Sequence, residues 1–159
     1  MKRIAILAAL LLAAAPAHAQ LNIRKATDKP KQEAVLAAQW NWLYTQEGTW
    51  YLVIKTDNRY DDMIWIDLGK DGESATTSIQ QLLDMLDSLG DDERFEIDDR
   101  YGKAIRVSLY IIAGKRAGYR MVAEGKAGEG YVTTAALKKG VQHIRGKMSL
   151  EAAQKAVDK

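Results

Sequence analysis

Trp40, Trp42 and Tyr44 stand at alternate positions, a spacing that lines three aromatic rings along one side of an extended strand. Indole and phenol rings set out in this way can stack on sugar rings or hold an extended peptide. These three are the candidate ligand-binding residues. Trp50, Trp65, Tyr51, Tyr60, Tyr101, Tyr110, Tyr119 and Tyr131 complete the tryptophans and tyrosines of the chain, whose commoner role is to pack under helices or to pair across strands. Few other large apolar residues lie between positions 32 and 48. That scarcity predicts that helices cover the Trp40/Trp42/Tyr44 side.

Carboxylates come in three runs: Asp57/Asp61/Asp62, Asp67/Asp71/Glu73, and Asp91 through Asp99. Paired carboxylates across a cleft can hydrolyse glycosides, so a small hydrolase is the weakest of three functional alternatives. The stretch from Asp67 to Glu73 is a poor calcium loop, because Lys70 stands where an oxygen ligand is needed and the D-x-D-x-D alternation is missing. Lys115, Arg116 and Arg120 are candidate anion contacts; the competing reading is a solvated hairpin tip. Lys138 and Lys139 add a basic pair on a helix. His143 sits one position before an apolar helix residue, where packing is the ordinary role of a lone histidine.

The absences narrow the chemistry. No cysteine occurs, so disulfides, thiolate nucleophiles and cysteine metal sites are excluded. The chain has two histidines, and no G-x-S-x-G, G-x-x-x-x-G-K-[ST] or G-x-G-x-x-G pattern. No catalytic residue, no metal site and no cofactor is expected.

Residues 1–19 have the pattern of a secretory signal peptide. Lys2 and Arg3 precede an apolar run from Ile4 to Ala15, and Ala17-His18-Ala19 is an A-x-A cleavage site. Cleavage between Ala19 and Gln20 would place the product in the periplasm or outside the cell. Lys2 and Arg3 would leave with it, so the 23 basic side chains become 21, equal to the 21 acidic ones. A chain so balanced lacks the excess positive charge that nucleic-acid binding relies on, and no segment after the signal is long and apolar enough to span a membrane. Charge is nonetheless lopsided: residues 47–99 hold 15 acidic and 4 basic side chains, and residues 100–159 hold 13 basic and 4 acidic. The two halves either neutralise each other within one molecule or favour association with a charged partner or a second copy.

The elements that must position these residues follow from periodicity. Residues 20–31 form a polar arm without period, residues 32–146 a single domain, and residues 147–159 a polar tail or short helix. Residues 32–39 are good helix formers, so a short helix or irregular entry is expected there. Strands are expected near 40–44, 50–56, 63–68, 95–97, 104–112, 119–124 and 131–132, from alternation and β-branched or aromatic content. Ile79, Leu82, Leu83, Leu86 and Leu89 form the stripe of one helix, with Thr77 as expected N-cap and Gly90 as left-handed C-cap. Thr134 is the expected N-cap of a second helix, with Leu137, Val141 and Ile144 one above another. Short turns make neighbouring strands antiparallel. The expected class is therefore α+β: an antiparallel sheet of β-hairpins with two amphipathic helices packed on one face. Thr76-Thr77 and Thr133-Thr134 lie 57 residues apart, which leaves open a β-β-β-α unit occurring twice. Together these features describe an exported binding module for a protein partner or for self-association. A glycan- or cell-envelope-binding module using exposed Trp and Tyr is the alternative.

Overall fold

The computed structural model describes residues 29–60 and 62–158. The signal pattern and most of the polar arm lie outside the described residues. Four strands run in a meander, β1 (Lys31–Ala37), β2 (Asn41–Gln46), β3 (Thr49–Lys55) and β4 (Met63–Gly69), followed by α1 (Gly72–Ser88). The order then recurs: β5 (Arg94–Asp98), β6 (Ala104–Ile112), β7 (Lys115–Ala123) and β8 (Gly130–Thr133), followed by α2 (Thr134–Val157). Each set of four is an antiparallel sheet with its strands in sequence order, sheet A from β1–β4 and sheet B from β5–β8. The protein is thus α+β, as its alternating and helical periods require. None of its described helices is long and apolar enough to cross a membrane.

Both central hairpins close on two-residue turns. Glu47-Gly48 and Ala113-Gly114 all have positive φ, the geometry that matches the twist of the flanking strands. Strand β7 therefore begins at Lys115, earlier than the Tyr119 that composition suggested. Residues 32–37, expected as helix or irregular, are strand. Their pairing with β2 overrides helix propensity, and the ladder shifts register at Glu33 and again at Leu36. Gln39, at φ 65°, turns the chain into β2.

The N-cap of α1 lies six residues before the expected one. Asp71 is the N-cap and accepts a hydrogen bond from Ser74 N at 2.7 Å. That bond holds the Asp71 carboxyl below its ordinary range. The helix ends at Leu89 in an extended conformation rather than at a left-handed Gly90, whose N–H bonds the Glu93 carboxylate at 2.7 Å. The last turn of α1 has no basic residue of its own. Arg116 supplies one from β7, donating to the carbonyls of Leu86 at 2.8 Å and Asp87 at 3.2 Å. Thr133, not Thr134, caps α2, and α2 continues unbroken through the expected tail. The 57-residue offset sets β3 against β6, whereas element order sets β3 against β7. The duplicated unit read from the two Thr-Thr pairs therefore does not follow the strands.

One core lies between the sheets and the helices. Leu43, Leu52, Ile54, Ile64 and Leu68 point inward from sheet A, and Ile105, Val107, Tyr119, Met121 and Val132 from sheet B. Ala75, Ile79, Leu82 and Leu86 of α1 meet Leu137, Val141 and Ile144 of α2 above them. Burial pushes the Tyr119 hydroxyl up to about 12, with Asp87 adding to it. That hydroxyl donates to Leu82 O at 2.5 Å, tying sheet B to α1. The sheets join where Thr56 bridges Gly130 and where Asp57 N bonds Glu129 O at 2.9 Å.

Candidate functional site

Sheet A has one side under the helices and one side that neither described helix covers, and the assignment of residues to sides is the reverse of the expectation. Asn41 and Leu43 are buried beneath the helices, while Trp42 and Tyr44 are half-buried on the opposite face. Two forces fix this choice. Leu43, fully buried, pairs with Leu52 in the core-facing row. Asn41, although polar, is satisfied: its side-chain amide donates to Tyr131 O at 2.8 Å and Trp40 O at 2.9 Å. Trp40 is not on the strand at all. It occupies the turn before β2 and is 45% exposed, so it does not share the row of Trp42 and Tyr44.

Register builds the open face across four strands. Val35, Trp42, Val53 and Trp65 lie side by side in one row. Gln32, Tyr44, Tyr51 and Asp67 form the next. The rings of Tyr44 and Trp65 meet at 5.3 Å between centroids with planes 51° apart, and Tyr51 meets Trp65 edge-on at 5.8 Å and 69°. Such tilted contacts are the favoured geometry for aromatic pairs. Val53 is fully buried beneath this layer, although it points away from the side on which the two described helices pack.

A cation from the other sheet completes the face. Arg100 sits in the turn between β5 and β6, where Asp99 is the organising residue. The Asp99 carboxylate, in a residue only 7% exposed, accepts from Tyr101 N at 2.7 Å and Lys103 N at 2.9 Å. The turn is hooked to the edge of β4 by Arg100 N donating to Trp65 O at 2.9 Å. This places the guanidinium 4.8 Å from the Tyr51 ring centre, 4.9 Å from that of Trp65 and 5.3 Å from that of Tyr101. Its Nη2 donates to Gln46 Oε1 at 2.8 Å. A guanidinium stacked on several rings is an adaptable, partly dehydrated cation.

The three candidate anion contacts do not form a common receptor. Lys115 is exposed beside the β6–β7 turn. Arg116 is engaged with the end of α1 and with Asp91 at 3.0 Å. Arg120 forms a two-pronged pair with Glu129, with Nε at 2.5 Å from Oε2, and Tyr131 Oη donates to the same carboxylate at 2.6 Å. The hydrogen bonds from Arg120 and then Tyr131 hold Glu129 down to about 2.

Several members of the carboxylate runs serve the backbone. Asp57 accepts from Glu129 N at 2.7 Å, Asp62 from Ala127 N at 3.2 Å, and Asp67 from Gly69 N at 2.8 Å. Among the described residues no group of three or more His, Asp or Glu is placed to hold a metal ion. His143 is half-buried on α2. Comparison with protein families, with curated proteins and with solved structures gives no match for this chain.

Tyr51, Trp65 and Arg100 are the site residues that spacing alone missed as a group. Alternation within β3 and β4 marks Tyr51 and Trp65 as outward-facing once one inward residue on each strand is known. Arg100 carries no such signal, because it reaches sheet A from a turn of sheet B.

Proposed function

We propose that this protein is an exported, non-enzymatic binding module that holds a protein partner on the open aromatic face of sheet A. The observation that carries the reading is the row Val35–Trp42–Val53–Trp65, flanked by Tyr44 and Tyr51 and overlaid by Arg100, on the side of the sheet that neither described helix covers. Aromatic residues and arginine are the side chains enriched where protein interfaces concentrate their binding energy. Sugar stacking fits less well. It needs an open, flat ring face, whereas Tyr51 and Trp65 stand 69° apart and share Arg100 across them. Hydrolysis has less support still, since the best-placed carboxylates bind backbone N–H groups.

Export rests on the Lys2-Arg3 start, the apolar run and the Ala17-His18-Ala19 site. The direct experiment replaces Trp42 with a photo-crosslinking phenylalanine analogue in the exporting host. Tyr110, half-buried on the outer face of sheet B, is the matched control. A discrete protein adduct from position 42 and none from position 110 supports the reading. No adduct from either, or equal adducts from both, removes it.

A further inference from the structure

The helix layer has an outer surface of its own, remote from the aromatic face. Helix α1 carries Glu73, Asp84 and Asp87 and no cation. The part of α2 beside it, residues 134–147, carries Lys138, Lys139, Arg145 and Lys147 and no carboxylate. The helices run antiparallel, with Gly72 against Ile144 and Met148 and Gly140 against Ile79. Between them lies a groove of about 460 Å³, lined by Asp84 and Asp87 of α1, Lys138 and Arg145 of α2, and Leu83 and Val141, with Arg116 of β7, already engaged with Asp91 and the end of α1, also against it.

These opposite charges face one another across the groove without closing it. None of the four has an ion-pair partner among the described residues; Asp84 takes a hydrogen bond from Gln80 at 2.8 Å. The crest of α2 is also low. Gly146 lies exposed in mid-helix with nothing within 4 Å of a built Cβ, a residue that weakens a helix unless close approach requires it. Ser149 follows on the same side.

We propose that this layer is the contact face of a two-fold symmetric homodimer, in which the acidic α1 of each copy lies over the basic α2 of the other. Charge selects the symmetry axis. A two-fold axis parallel to the helices exchanges their positions and sets acid over base twice. An axis in the same plane but perpendicular to the helices sets acid over acid and base over base. One surface is therefore self-complementary in a single orientation, as an isologous interface must be. Its extent is modest. The 17 residues of α1 span about 25 Å, and two helix diameters about 20 Å, so each copy covers about 500 Å². The total, about 1,000 Å², is at the small end for a specific interface. A dimer of this size, held by charges near solvent, exchanges readily and weakens with salt. It would present two aromatic faces outward, so a repetitive partner would be held at both.

Sedimentation equilibrium of the purified protein tests this. The wild-type chain is expected to dimerise, with a dissociation constant that rises at least about tenfold between about 0.05 and 0.5 M NaCl. The double variants Asp84→Lys/Asp87→Lys and Lys138→Glu/Arg145→Glu should each be monomeric, since each sets like charge on like. Mixed in equal amounts, the two should restore a dimer, because every reversed contact then meets its opposite. All four side chains are exposed, and unchanged circular dichroism melts would show that both variants fold. A monomeric wild type, self-association that survives either reversal, or a mixture that stays monomeric overturns the proposal. Crosslinking from Trp42 would be unaffected by any of these results.

Discussion

Glu33→Gln should lower stability at neutral pH and flatten its dependence on acid. Glu33 lies at the first of two irregular positions of β1, and its side chain is only 7% exposed. Burial alone would raise its pKa. Hydrogen bonds from Lys147 at 2.8 Å and Thr45 at 2.7 Å, the Lys147 charge, and Lys31 at 3.3 Å prevail and hold it at about 2. The gap between the ordinary 4.5 and about 2 corresponds, at about 1.4 kcal/mol per pH unit, to about 3–4 kcal/mol. Because the folded-state value is depressed, this contribution is complete above about pH 4.5 and is lost as pH falls from there towards 2. The variant also leaves Lys147, which stacks 5.0 Å from the Trp50 ring centre, without its carboxylate. Urea unfolding followed by tryptophan fluorescence at pH 7, 5, 3.5 and 2.5 reads the effect. Wild type should exceed the variant by about 2–3 kcal/mol at pH 7, and the difference should shrink steadily below about pH 4.5, to about 1 kcal/mol at pH 2.5. Glu129, also held at about 2, is present in both proteins and cancels in the difference. A difference that stays constant across this range would refute the assignment of the acid-sensitive pair to Glu33.

Arg116→Ala should cost about 1–2 kcal/mol, seen as a lower urea midpoint, because the Leu86 and Asp87 carbonyls lose their side-chain donor. Gly118→Ala should impair folding severely, since a Cβ there would overlap Val132 O where β7 meets β8; soluble expression with a native melt would contradict that. N-terminal sequencing of the exported product should read Gln20-Leu21-Asn22, and a retained Met1 on soluble protein would end the export argument.

Period and turn chemistry made much of this fold legible, and three local features concealed the rest. Gly72 and Ser74 are weak helix formers, which hid the first turn of α1 and shifted the expected cap from Asp71 to Thr77. Residues 32–37 favour helix by composition, but they lie beside β2, and pairing outweighs propensity. Thr133 and Thr134 are equally good caps on paper, and the fold chooses the one that ends β8. At the site, alternation correctly put Trp42 and Tyr44 on one side of a strand. It could not say which side the helices would cover, because the deciding residue is Asn41. A buried asparagine reads as outward-facing until its amide finds Tyr131 O, 90 positions away. Arg100 was hidden for the same reason, since its position over Trp65 depends on how two sheets meet.

Denaturant unfolding of Leu43→Ala and Trp42→Ala, run side by side, tests the openness of the aromatic face most directly. These neighbours point to opposite sides of β2, Leu43 into the core at 0% exposure and Trp42 onto the half-buried outer layer. Truncating Leu43 removes buried surface and leaves a cavity, at about 2–5 kcal/mol. Truncating Trp42 leaves a depression that water fills, so the cavity contribution is absent and the loss should be about 1–2 kcal/mol despite the larger side chain. A Trp42→Ala loss equal to or greater than that of Leu43→Ala would contradict the account, because the ring would then belong to the core and not to a surface kept for a partner.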